Sequence, residues 1–256
     1  MNNLFKKVFN LFALILLIFF IFKTYEELVN NQVSLEFMGL VYYIFIGYPL
    51  TFLSTVLLNN VIFKKFDISV EILDNINITN QSYIANLLPI PGRYLVLGTF
   101  LRQFNIKLLD SSKFQLILNF QILLFSINLY LLAISNYLFF ALFFLITGVF
   151  YLYQKKFITN ILSISVINLI NFSISYYLLF TSLDFIEAML VSVSSILSGY
   201  FSLVPNGLGL RELFAYYLGE YFSLQPYLLV LGVLFMRFVG LIFNTIIFFI
   251  LKIKKK

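Results

Sequence analysis

Leu203-Val204-Pro205-Asn206-Gly207-Leu208-Gly209-Leu210-Arg211-Glu212 interrupts an apolar run that extends from Ala188 to Phe222. Pro205, Gly207 and Gly209 prevent continuous helix, Asn206 can cap, and helix can begin again near Leu210. A second interruption, Leu88-Pro89-Ile90-Pro91-Gly92-Arg93, breaks the run Tyr83 to Leu101. Pro91 suits the first turn of a helix starting near Gly92. How these two segments sit relative to a membrane decides the fold.

A membrane is the required setting. The 256 residues are 61% apolar and 11% charged, far from the roughly half and one quarter of a soluble domain. The chain carries no Cys and no His. That removes disulfides, thiolate metal sites, and the commonest metal ligand and general base. No cofactor is expected. The net charge of +6 is not read as a nucleic-acid surface, because the basic residues sit at the ends of apolar runs and act as topology signals.

Six runs are long enough to span: Leu4–Phe22, Phe37–Phe63, Phe114–Ile134, Tyr137–Tyr153, Phe157–Phe180 and Tyr227–Leu251. The first reads as an uncleaved anchor, since no small-residue cleavage site follows it. Pro49 predicts a kink in the second. Asp67 to Asn80 reads as a short polar stretch. Excess Lys and Arg mark cytoplasmic loops. Lys6 and Lys7, Lys64 and Lys65, Arg102 with Lys107 and Lys113, Lys155 and Lys156, and the terminal lysines 252 and 254–256 then all lie inside. Glu26, Glu27, Glu36, Asp184 and Glu187 lie outside. On this assignment Tyr83–Leu101 starts and ends on the cytoplasmic side, and Ala188–Phe222 starts and ends on the outer side.

The expected fold is therefore an all-α polytopic membrane protein, one domain over 1–256. It has about six full spans plus two re-entrant or broken helical hairpins in an inverted repeat. Residues 1–36 form an anchor and loop. Residues 37–134 form a first half with broken segment 83–101, 137–156 a connecting span, and 157–251 a second half with broken segment 188–222. Inverted repeats with broken helices near the midplane are a transporter architecture, and broken backbone is tolerated in a membrane only where it is buried or lines a wet cavity. Both termini are expected in the cytoplasm, in a cell membrane.

The candidate binding residues are Arg93, Asn206, Gly207, Gly209, Arg211, Glu212 and Arg237. A half-helix beginning near Leu210 points free N–H groups and a positive dipole end into the membrane. Arg211 in its first turn adds a guanidinium suited to phosphate or carboxylate. Glu212 is a charge in apolar surroundings and needs a partner. Arg237 is that candidate partner: the span from Leu228 to Leu251 contains no other charge, and Gly240 and Asn244 share its face. Arg237 either faces a cavity with Glu212 or an anionic ligand, or forms a structural pair with Glu212 that fixes packing. Arg93 opens the other half-helix as Arg211 opens this one, or snorkels to headgroups. The polar stripes Asn168/Asn171/Ser175 and Gln115/Asn119/Ser126 serve interhelical hydrogen bonds or line a headgroup path. Ser192, Ser194, Ser195, Ser198 and Gly199 suit close packing.

Pro205 to Glu212, with Arg237 in the following span, resembles the proline-glycine-glycine-x-glycine-valine-arginine-glutamate motif of the flippase-like membrane family. That family includes the transmembrane region of lysylphosphatidylglycerol synthases. Leu88 to Arg93 resembles its earlier proline-glycine-arginine motif, and the likeness extends from about Phe37 onward. Asn206 stands where the family has glycine, and Tyr94 to Leu97 is apolar where it has a glycine-acidic pair. The resemblance implies a protein that binds or moves an anionic lipid or lipid-linked intermediate across the cytoplasmic membrane. The aminoacyl-transferring domain of the synthases is not in the sequence, so lipid aminoacylation is not expected of this chain alone. An alternative is a non-transporting scaffold that holds a lipid intermediate for a partner membrane enzyme in envelope lipid or polysaccharide synthesis. An intramembrane enzyme is disfavoured, because Glu212 is the one well-placed buried carboxylate.

Overall fold

In the computed structural model the described residues are 35–85, 92–180, 182–201, 210–222 and 226–254, with Ile18, Phe22, Lys23 and Glu26. Among them the chain is helical and contains no strand. The helices are α1 (Phe37–Lys65), α2 (Ile72–Ala85), α3 (Gly92–Arg102), α4 (Leu108–Ala133), α5 (Tyr137–Gln154), α6 (Ile158–Leu179), α7 (Phe185–Phe201), α8 (Leu210–Tyr221) and α9 (Pro226–Lys254).

Among the described residues four helices are long and apolar enough to cross a membrane: Phe37–Lys65, Leu108–Ala133, Thr159–Leu179 and Tyr227–Ile253. This corrects the expectation of six full spans. Helix α5, Tyr137–Gln154, is apolar as far as Tyr153 and gives about 27 Å of helix against roughly 30 Å of hydrocarbon. The Leu4–Phe22 run falls outside the described residues, apart from Ile18 and Phe22. Large exposed side chains such as Leu138, Phe144 and Leu145 on α5, and Phe238, Ile246 and Phe249 on α9, present a surface suited to lipid rather than water.

The long helix α1 does not break at Pro49. Instead a π-helical turn over Tyr43–Gly47 lies directly ahead of it. Proline cannot donate to the carbonyl four residues back and its ring crowds that carbonyl, so a wider turn accommodates it within a continuous helix. Helices α1 and α6 run antiparallel, as successive contacts show: Glu36 N–H donates to the Leu179 carbonyl, Asn171 Nδ2 to the Gly47 carbonyl at 2.7 Å, and Ser54 Oγ to Asn168 Oδ1 at 2.7 Å. Tyr42 also donates to Asn171 Oδ1. The Asn168/Asn171 stripe is thus spent on holding two helices together. The backbones touch at Gly39, where an added Cβ would lie 2.5 Å from backbone atoms of Leu178 and Leu179.

Residues 67–80 are polar in sequence but largely helical. From Ile72 they form α2, and Asn75, Ile78, Thr79, Asn80 and Ser82 are buried. Hydrogen bonds to α1 make most of that burial tolerable: Asn59 Nδ2 donates to Thr79 Oγ1, and Asn75 Nδ2 to Asn60 Oδ1 and to the Val56 carbonyl. Consecutive α2 and α3 pack together, as do consecutive α7 and α8. Helix α7 starts on a reciprocal cap, in which Glu187 N–H donates to Asp184 Oδ1 and Asp184 N–H to Glu187 Oε2.

Two apolar cores result. The first joins Tyr43 to Val56 of α1 with Tyr176 and Leu179 of α6 and residues of α7, α8 and α9. The second joins Leu58 to Phe63 of α1 with Ile161 and Ile164 of α6, α3 and the start of α4. The antiparallel pair α1/α6 therefore runs through both. Beyond it, α4 packs on α6 and α7, while α9 packs on α1 and α2.

Candidate functional site

Helix α8 begins at Leu210, so Arg211 and Glu212 lie in its first turn. It packs on α7 and α9. Glu212 is completely buried, and its Oε1 lies 3.0 Å from Arg237 Nε on α9, whose side chain is 15% exposed. Arg237 Nη2 also reaches Glu212 Oε2 at 3.5 Å. The structure therefore places the isolated charge of the last long helix against the charge at the head of α8. A carboxylate at a helix N-terminus is further stabilised by the free N–H groups there.

Arg211 is different. It is partly exposed, its Nε is buried, and that Nε has no hydrogen-bond acceptor among the described residues. No carboxylate among them pairs with it. Arg211 lies within Coulombic range of Arg237, Tyr43 and Tyr176, and Tyr176 within range of Arg237 and Glu212. Tyr176 Oη shares a 2.9 Å hydrogen bond with Ser195 Oγ. Five helices thus converge on the charges: α1 through Tyr43, α6 through Tyr176, α7 through Ser195, and α8 and α9 through the charged groups themselves. The three charges sum to +1, an excess that a low-dielectric interior magnifies.

Farther along α9 the polar face continues. Asn244 Nδ2 donates to Tyr48 Oη and to the Gly240 carbonyl. A Cβ on Gly240 would meet the Tyr48 ring at 2.8 Å. Gly240 and Asn244, expected to share the Arg237 face, serve here to seat α1 on α9.

Asn206, Gly207 and Gly209 lie outside the described residues. Arg93 is the second residue of α3, with its side chain outside the description. Helix α3 packs on α2 and α4 and contributes to the second core, whereas α8 and α9 belong to the first. Tyr43 and Tyr176 were not singled out from sequence. Neither has a local signal, because buried tyrosines in an apolar helix look alike until the tertiary contacts are known.

Comparison with protein-family models, with characterised proteins and with solved structures returns no match.

Proposed function

We propose that this chain binds the anionic headgroup of a lipid or lipid-linked intermediate at Arg211, Glu212 and Arg237, and carries it across a cell membrane. The observation that carries the reading is the charge imbalance of a cluster built on the buried Glu212–Arg237 pair. Glu212 balances Arg237, and Arg211 is left with a buried donor and, among the described residues, no carboxylate. An uncompensated charge in a membrane interior costs several kcal/mol unless something pairs with it, and a guanidinium pairs best with phosphate or carboxylate. The likeness of Pro205–Glu212 and Leu88–Arg93 to the flippase-like family supports the same class of ligand.

The route follows from the helix order. We read α1–α4 and α6–α9 as two equivalent groups, each a long helix, a pair of short packed helices and a second long helix, joined by α5. The antiparallel contact of α1 with α6 supports an inverted relation between them. The reciprocal packing of α4 on α6 and α7, and of α9 on α1 and α2, supports it too. Short helix pairs entering from opposite faces would give alternating access by rocking of one group against the other.

The test is lipid flux. The purified chain is reconstituted in vesicles with a headgroup-labelled anionic phospholipid, and the accessible fraction is followed over time. Flux by the native chain, lost in Arg211→Ala, supports the proposal. Arg211-dependent binding without flux would favour the scaffold reading instead.

A further inference from the structure

We infer that Glu212 sets the charge of the ligand, so that the site prefers a phosphodiester carrying one negative charge over a phosphomonoester or pyrophosphate carrying about two. The inference rests on the anion-site reading and deepens it. Glu212 is fully buried against Arg237, and Arg211 is the one cluster cation without a carboxylate among the described residues. At neutral pH the three side chains carry a net +1, so one negative charge completes the balance. A second would be left uncompensated beside the Glu212 carboxylate, in surroundings where like charges repel strongly. A phosphodiester carries one charge, and a phosphomonoester about 1.5 to 2 at pH 7.

Glu212→Gln raises the cluster to +2 and should move the preference toward the dianion. Glu212→Gln combined with Arg237→Gln returns the sum to +1, carried by Arg211 alone, and should restore the original preference. Arg211→Gln brings the sum to zero with the ion pair intact and should abolish binding of both.

The full chain in phosphatidylcholine nanodiscs is titrated with phosphatidylglycerol, phosphatidic acid and water-soluble glycerophosphoglycerol. The expected result is a preference of about tenfold or more for phosphatidylglycerol over phosphatidic acid. That preference reverses in Glu212→Gln and returns in the double variant. Binding of glycerophosphoglycerol as tightly as phosphatidylglycerol would identify the headgroup alone as the ligand; much weaker binding would identify the lipid, and both keep the charge rule. Equal or tighter binding of phosphatidic acid by the native chain overturns the inference even if Glu212→Gln fails to fold. Binding that ignores Arg211 overturns the anion-site reading itself. Binding that depends on Arg211 but shows no charge preference overturns the Glu212 rule alone.

Discussion

Arg237 Nε sits 3.0 Å from Glu212 Oε1, joining the middle of α9 to the first turn of α8 where Glu212 has no exposure at all. Such a pair is weak evidence of net stability, since desolvation offsets most of the attraction, but breaking it from one side strands a buried charge. Glu212→Ala is expected to destabilise the protein by about 3–5 kcal/mol. Replacing both residues together with Leu and Met should cost far less. Thermal unfolding of detergent-purified variants checks this. A single variant as stable as the native chain would mean the two charges do not share a buried contact.

The contact between α1 and α6 makes a second prediction. A Cβ at Gly39 would lie 2.5 Å from backbone atoms of Leu178 and Leu179, which cannot swing aside as a side chain can. Gly39→Ala should therefore cost about 1–3 kcal/mol through overpacking. Gly148, in α5, has nothing among the described residues within 4 Å of its notional Cβ. Gly148→Ala should be neutral or stabilising by up to about 1 kcal/mol, since alanine favours helix. Melting temperatures that move the same way for both would contradict the packing described.

Helices α1, α3 and α4 end alike, and the third ending is testable. Asp67, Asn105 and Ser135 all have positive φ, and the next N–H returns to a carbonyl five residues back: Ile68 to Phe63, Ile106 to Leu101, Asn136 to Leu131. This closure usually uses glycine. Asp and Asn tolerate it better than Ser does. Ser135→Gly should stabilise by roughly 1 kcal/mol, a rise of a few degrees in the unfolding midpoint. A fall would mean that Ser135 is not left-handed.

Asn171 supplies a fourth prediction. Its amide donates to the Gly47 carbonyl and to Thr51 Oγ1, and its oxygen accepts from Tyr42. Asn171→Leu removes all three bonds between α6 and α1. Interhelical hydrogen bonds in membranes average about 0.6 kcal/mol, so a loss of about 1–2 kcal/mol is expected in equilibrium unfolding. No loss would show that packing at Gly39, not the polar contacts, holds the pair.

Much of this was legible in the residues for plain physical reasons. The long helices follow from apolar runs closed by lysines, and the Arg237–Glu212 contact follows from two charges stranded in otherwise uncharged segments. What escaped was α2. Asn75 and Thr79 read as part of a short polar stretch because their partners, Asn59, Asn60 and the Val56 carbonyl, lie a helix away in sequence. At Pro49 the sequence announces a missing hydrogen bond but not the π turn over Tyr43–Gly47 that precedes it. Four spans rather than six are found among the described residues, and most of the Leu4–Phe22 run lies outside them.

The central claim is that the helix pairs α2/α3 and α7/α8 enter the membrane from opposite faces and so bring Arg211 to its interior. The most direct measurement uses the absence of native cysteine. Single cysteines at the exposed positions Glu71, Gln103, Ser182 and Glu220 are labelled with an impermeant thiol reagent from each side of sealed vesicles of one orientation. The account predicts that Glu71 and Gln103 label from one side only, and Ser182 and Glu220 only from the other. Labelling of Glu71 and Gln103 from opposite sides would make α2 and α3 a single crossing and would contradict it.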